Sequence, residues 1–352
     1  MAWQDILGHQ RLEHWFRSVV QQGRLASTFL FVGPPGIGKR TFAIQLAQSL
    51  LCETVAETQL DACGTCPACQ QVQAGTHPDL HVVARYAEKS NILLEQLIGD
   101  DEHRMQEGLC HDIALKPFAG GRKIAIIDDA DCLNVEGANC LLKTLEEPPP
   151  QSVIVLISTS EQRQLPTIRS RSQIVRFQPL SYAEVEELIR RTGMAESDDE
   201  VRTLSSLSGG SLETAQQFAP PEVREFRDRW LQILAELDET PFHFVKELMT
   251  FVEAAGKETA AKRARLKLVA RMAAGFYRGW LALPGSELDG DHLVHQAVDR
   301  ATQRCGQDLE RVVQCLDRCL ELENQIEANA NLATLVEVWL DDLAQVTLGI
   351  GV

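Results

Sequence analysis

Apolar positions follow two rhythms along this chain, and the change from one to the other divides it. Up to residue 178, short apolar runs alternate with stretches of helical spacing. Residues 29–32, 123–128 (KIAIID), 153–158 (VIVLIS) and 174–177 read as buried strands, and 80–84 as another short one. Residues 3–23 carry Leu12, Phe16, Val19 and Val20 at helical spacing, and a second helix after Lys39 carries Phe42, Leu46 and Leu50. Residues 134–147 form a third helical pattern, stopped by Pro148-Pro149-Pro150. The stretch 91–116 is predicted mostly helical with a charged middle, and Gly120-Gly121 turns the chain into the next strand. Strands alternating with helices predict an α/β domain, a parallel sheet covered on both faces.

Pro179 marks the boundary. Residues 181–219 read as three short helices, broken near Thr192-Gly193 and at Ser208-Gly209-Gly210. From Pro220-Pro221 the pattern is helical to the end, with breaks near 238–241, Ala255-Gly256, 284–290 and Gly306. The expected division is therefore 1–178, 179–219 and an all-α region, 220–352.

Composition narrows the class. A length of 352 residues suits two or three domains, and no apolar run is long enough to span a membrane, nor does the start carry a basic segment followed by an apolar block. A soluble cytosolic protein is the expectation. A formal charge of −16 argues against coating nucleic acid wholesale, which relies on many Lys/Arg–phosphate contacts, but leaves room for a local basic strip.

Between the first strand and its helix lies Gly33-Pro34-Pro35-Gly36-Ile37-Gly38-Lys39, which fits G-x-x-x-x-G-K. Glycines let backbone N–H groups turn toward one point, the helix N-terminus adds partial positive charge, and lysine adds a full one, so this P-loop is predicted to cradle the phosphates of ATP or ADP. The following position should offer Mg²⁺ a hydroxyl. Arg40 has no oxygen to give, and Thr41 lies about 100° further round the helix. In 124–131, IAIIDDAD, Asp128 stands where a Mg²⁺ shell would be held. Asp129 stands where the attacking water would be polarised, one methylene shorter than the usual glutamate. Both departures argue against efficient Mg²⁺-dependent hydrolysis while leaving nucleotide binding open.

Cys52, Cys63, Cys66 and Cys69 have the spacing C-x10-C-x2-C-x2-C, which suits a structural Zn²⁺ held by four thiolates; free thiols or an iron–sulfur cluster are the alternatives. Cys110, Cys132, Cys140, Cys305, Cys315 and Cys319 read as small core residues. Arg169 and Arg171, just before the last strand, are either solvated loop charges or a phosphate-directed finger. The basic run over 257–278 is either a solvated helix face or a contact for DNA or another subunit. Lys143, near the end of its helix, suits the negative end of the helix dipole.

Taken in order, GPPGIGKR, the four cysteines followed by QAGTHPD (73–79), IIDDAD, LLKTLEEPP (141–149) and Ser170-Arg171-Ser172 resemble the AAA+ subunits of bacterial clamp loaders. Specific motifs carry the resemblance to about residue 219; the remainder matches only as a helical region of suitable length. The resemblance implies a RecA-like AAA+ domain (1–178) with a zinc knuckle (52–69), a helical lid (179–219) and a helical collar (220–352) joining a five-membered ring. It implies that Arg171 is donated to the ATP site of a neighbouring motor subunit, with Arg169 the lesser candidate and Ser172 where the family usually has cysteine. Where active relatives carry a sensor arginine after a Gly-Ser turn, this chain has Glu213. The implied protein is a part of the DNA polymerase III holoenzyme whose own ATPase is weak or absent. Its partners would be the gamma/tau motor subunits, the delta subunit, the sliding clamp and, through the assembled complex, primer–template DNA. Two other readings are a self-sufficient motor ATPase of the gamma/tau type and a zinc-knuckle DNA-binding module, the latter opposed by the acidic charge.

Overall fold

The computed structural model describes residues 3–86, 89, 91–118, 121–237, 242–281, 292–306, 308–328 and 330–349. The breaks expected at 238–241 and 284–290, and the first glycine of Gly120-Gly121, lie outside these residues. The chain separates into two compact units, Met1–Arg191 with Gly209–Glu213, and Thr192–Ser208 with Thr214–Val352.

The first unit runs α1 (Gln10–Gln21), β1 (Thr28–Val32), α2 (Lys39–Leu51), α3 (Pro67–Ala74), β2 (Leu80–Val83), α4 (Leu94–Ile98), α5 (Leu109–Ala114), β3 (Lys123–Ile127), α6 (Val135–Glu146), β4 (Ser152–Ser158), α7 (Pro166–Arg169), β5 (Gln173–Arg176) and α8 (Tyr182–Thr192). The strands form one sheet in the order β2-β3-β4-β1-β5, and every pairing is parallel.

Strand periodicity explains why the runs are apolar without interruption. Side chains alternate between faces, and both faces are covered. Phe29, Phe31, Ile124, Ile126, Val153 and Val155 enter a core with Phe16 of α1 and Phe42 of α2. Leu30, Val32, Ala125, Ile127, Ile154 and Leu156 enter the opposite core with Leu141 and Leu145 of α6. Phe42 is fully buried, its ring centroid 5.0 Å from Trp3, 5.7 Å from Phe16 and 5.2 Å from Phe177. That cluster fixes the helix that opens at Lys39, and thus the loop before it.

The stretch 91–116 corrects the sequence expectation. It is helical only in α4 and α5. Between them Gly99, Met105 and Gly108 take φ of +82°, +63° and +87°, values no α-helix accommodates. A Cβ on Gly108 would lie 2.6 Å from the Gly99 nitrogen, so this loop closes tightly on itself.

The second unit is helical: α9 (Asp198–Leu207), most of α10 (Leu212–Phe218), α11 (Pro221–Ala235), α12 (Phe242–Glu253), α13 (Thr259–Leu281), α14 (His292–Cys305), α15 (Leu309–Glu327) and α16 (Leu332–Leu348). Helix α13 buries Leu266, Val269, Ala273, Phe276 and Tyr277. Two of its basic residues are engaged within this unit. The Arg265 guanidinium lies 4.6 Å above the Phe251 ring, and Arg271 Nε is 3.3 Å from Glu323. Asp308 and Asn331 cap α15 and α16 by accepting backbone N–H groups of the first turn. Cys110, Cys315 and Cys319 are buried as expected, whereas Cys132, Cys140 and Cys305 are only half-buried. Helices leave part of a residue's surface facing outward even on their inner edge, and spacing alone did not separate the two groups.

Candidate functional site

The P-loop sits where strand β1 gives way to helix α2. Gly36 and Gly38 adopt φ of +71° and +93°, a region closed to most side chains. Ile37 is buried and accepts a 2.7 Å hydrogen bond at its carbonyl from His9 Nε2. Burial holds the His9 imidazole below its ordinary pKa, so the ring is a neutral donor. No spacing in the sequence announced this brace.

Lys39 is 6 % exposed and turns back on its own loop, donating at 2.6 Å to the carbonyls of Gly33 and Pro34. Burial lowers its pKa, against the pull of Asp131, Asp128, Glu213 and Asp129. The Gly36 carbonyl accepts from the Leu212 backbone N–H at 3.0 Å. A Cβ on Gly36 would come within 2.4 Å of both the Glu213 Cβ and the Ser211 Oγ. The segment 211–213 thus lies against the loop.

Arg40 explains what its position does. Its guanidinium lies 3.1 Å from Asp128 Oδ2, with the arginine side chain 56 % exposed and the aspartate 15 %. The carboxylate expected to hold a metal shell holds a cation from its own chain. Thr41 is exposed, one residue further round α2, and Pro34 is exposed while Pro35 is half-buried. Asp129 is exposed with φ of +52°. The third acid of IIDDAD carries the structure instead. Asp131 accepts from Thr159 N at 2.7 Å, Thr159 Oγ1 at 2.6 Å, Gln164 Nε2 at 3.1 Å and the Ser158 hydroxyl. It ties the end of β3 to the end of β4 and to the loop leading into α7.

The two arginines are separated by their surroundings. Arg169 is half-buried, with its Nε enclosed and without a hydrogen-bond partner among the described residues. Arg171 is exposed; its Nη2 meets Glu146 Oε1 at 2.6 Å and its Nη1 donates to the Thr167 carbonyl at 2.9 Å. Glu146 belongs to LLKTLEEPP, and nothing in the linear pattern linked it to Arg171.

The four cysteines meet. The sulfurs of Cys52, Cys63, Cys66 and Cys69 lie within 4.8 Å of one another, with Cys52–Cys66 and Cys63–Cys69 at 4.0 Å. A tetrahedron of ~2.3 Å Zn–S bonds has sulfur–sulfur edges of ~3.8 Å, so the spacing fits a metal and is far too long for disulfides. The Thr54 hydroxyl and the backbone N–H groups of Thr65 and Cys66 pull the Cys63 thiol down to about 5, whereas burial pushes the Cys69 thiol up. Gln48 of α2 donates to the Cys69 carbonyl at 3.0 Å, which fastens the knuckle to the P-loop helix. The cluster can hold a metal ion.

A parallel sheet in this order, with a P-loop after β1 and acids after β3, places the first unit among P-loop proteins of the AAA+ class, followed by a helical C-terminal part. The model of the family described as "DNA polymerase III, delta subunit" matches residues 8–181. The chain is 38 % identical over 203 residues to DNA polymerase III subunit delta' of Pseudomonas aeruginosa, covering 57 % of this chain and 58 % of that protein. It is 27 % identical over 344 residues to the subunit of the same name from Bacillus subtilis, covering 96 % and 97 %. It is therefore similar to the delta-prime subunits of bacterial clamp loaders. The chain spans 58 % of the first relative's length. Among solved structures it is similar to a DNA polymerase III gamma subunit-related protein from Thermotoga maritima, at 16 % identity over 95 % of this chain and 99 % of that one, with a TM-score of 0.41.

Proposed function

We propose that this chain is a non-motor AAA+ subunit of a bacterial clamp loader, assisting ATP hydrolysis in a neighbouring motor subunit while turning over little or none itself. The place of Arg171 carries the reading. It stands two residues before β5, and the register sets Gln173 beside Phe29, near the start of β1. The P-loop follows the other end of β1. Phe29 to Gly33 is four residues of strand, about 13 Å at ~3.3 Å per residue, further than an arginine side chain spans. A phosphate served by Arg171 therefore belongs to another molecule.

The chain's own nucleotide site supports the same division of labour. Arg40 occupies Asp128, Lys39 is spent on loop carbonyls, and Glu213 faces the loop where a cation would be needed. ATP or ADP, where bound, is held without turnover at Gly33–Thr41. The cysteine cluster takes a structural Zn²⁺, whose four sulfur ligands leave no open position for catalysis. Similarity to the delta-prime subunits supports the gamma/tau and delta subunits, the sliding clamp and, through the complex, primer–template DNA as partners, and a cytoplasmic location; no helix among the described residues is long and apolar enough to cross a membrane. Within this reading 1–178 is the AAA+ domain, 179–219 the lid and 220–352 the collar.

The test is Arg171→Ala in the reconstituted assembly. ATPase of the complex is expected to fall while the isolated chain keeps its melting temperature, and unchanged ATPase would remove the role in trans. Substantial turnover by the lone chain, abolished by Lys39→Ala, would favour the self-sufficient motor instead.

A further inference from the structure

The finger of the proposed reading does not point outward unengaged. Three of its polar contacts turn back on its own unit: Nη2 to Glu146 Oε1 at 2.6 Å, and Nη1 to the Thr167 carbonyl at 2.9 Å and the Ser170 hydroxyl at 3.2 Å. The partner acid is oddly placed for stability. Glu146 is the last residue of α6 and Glu147 its C-cap, so two carboxylates stand at the helix end whose carbonyls already carry partial negative charge. Arg171 offsets them together with Lys143 of the last turn. Such a local rule broken beside a functional group marks a site where stability is not the only requirement.

We infer that Glu146 is a positioning residue for Arg171, holding the guanidinium folded back until a phosphate group on the neighbouring molecule displaces it. The carboxylate and a phosphate oxygen compete for the same guanidinium fork. The competition is finely balanced because the pair lies at the surface, with the side chains 32 % and 50 % exposed, where ion pairs are weak. The platform under the pair is firm. Helix α7 follows the loop that Asp131 anchors through Gln164 and Thr159, and Ile168 of α7 is buried in the core that holds Leu145, the residue before Glu146. Only the guanidinium has to move.

This inference rests on Arg171 acting in trans, and the experiment separates the two. In the reconstituted clamp-loader assembly, ATPase is titrated with ATP for the parent, Glu146→Gln, Arg171→Ala and the double variant. Removing the competing charge is expected to lower the ATP concentration for half-maximal rate by about two- to fivefold, the range set by an exposed ion pair. The shift should vanish in the Arg171→Ala background. Glu146→Asp, which keeps the charge but withdraws it by one methylene, should fall between parent and Gln variant. A purely structural Glu146 would instead reduce the amount of assembled complex without lowering that concentration. An unshifted titration, or the same shift with and without Arg171, overturns the role of Glu146 while leaving the finger intact. An Arg171→Ala assembly as active as the parent overturns both.

Discussion

Replacing Arg40 with serine tests whether its guanidinium is what keeps a metal from Asp128. Asp128 Oδ2 is 3.1 Å from the guanidinium nitrogen, and a Mg²⁺ ion binds oxygen at ~2.1 Å, so an ion on that oxygen would lie no more than about 5 Å from the arginine. A divalent cation and a guanidinium at that distance repel by about 2 kcal/mol under water-like screening and about 7 kcal/mol at an effective dielectric constant of 20. The arginine can swing away for the loss of an exposed ion pair, about 1 kcal/mol, so the lower end of the range governs. Arg40→Ser removes the repulsion, frees the carboxylate and places a hydroxyl where the motif expects one. Titration of the isolated variant with a fluorescent ADP analogue, in Mg²⁺ and in EDTA, should show a gain from the metal about fivefold larger than in the parent, or about 1 kcal/mol. Because the lost ion pair is worth so little, thermal unfolding should move by only a few degrees. Equal Mg²⁺ dependence in parent and variant would refute the reasoning.

Two other outcomes follow from the packing around the loop and the knuckle. Cys66→Ser should release the bound metal from the purified chain, measured by mass spectrometry of the metal content, and lower the melting temperature; a parent chain free of metal after expression in zinc-supplemented medium would sink the site. His9 is buried and neutral, with its folded pKa below the free value of 6.5. The unfolded chain therefore binds the proton first: the contribution of the neutral ring is complete above about pH 6.5 and is lost as pH falls from there through the folded value. His9→Asn should flatten the decline of the urea midpoint between pH 7.5 and 5.5, and an identical decline in parent and variant would show that His9 is not its source.

The elements legible in the sequence were those whose residues are close along the chain. Strand β3 is apolar at every position from 124 to 127 because both faces are buried, and the stop at Pro148 follows from a ring that cannot continue a helix. The cysteine spacing was readable for the same reason, since three of the four clustered cysteines lie within seven residues. What the spacing missed needs distance in sequence and nearness in space. Arg40 and Asp128 are 88 positions apart and meet only because β1 and β3 flank β4. Asp131 reads as one more surface acid until the ends of β3 and β4 bring its four donors together. The stretch 91–116 misled because its charged middle is compatible with an exposed helix, and glycine conformation rather than hydrophobic period decided the outcome.

The same topology keeps Arg171 independent of the P-loop. In a parallel sheet every strand runs from one edge to the other, so groups that follow strands and groups that precede them occupy opposite edges. The P-loop follows β1 and Asp128 follows β3; Arg171 precedes β5 and Glu146 precedes β4. Changes at the first edge, such as Arg40 on Asp128, leave the second edge untouched because the fully buried strands between them are held by cores on both faces. The proposed division of labour is therefore compatible with the sheet: changes around the P-loop leave Arg171, in contact with Glu146 and Thr167, in place.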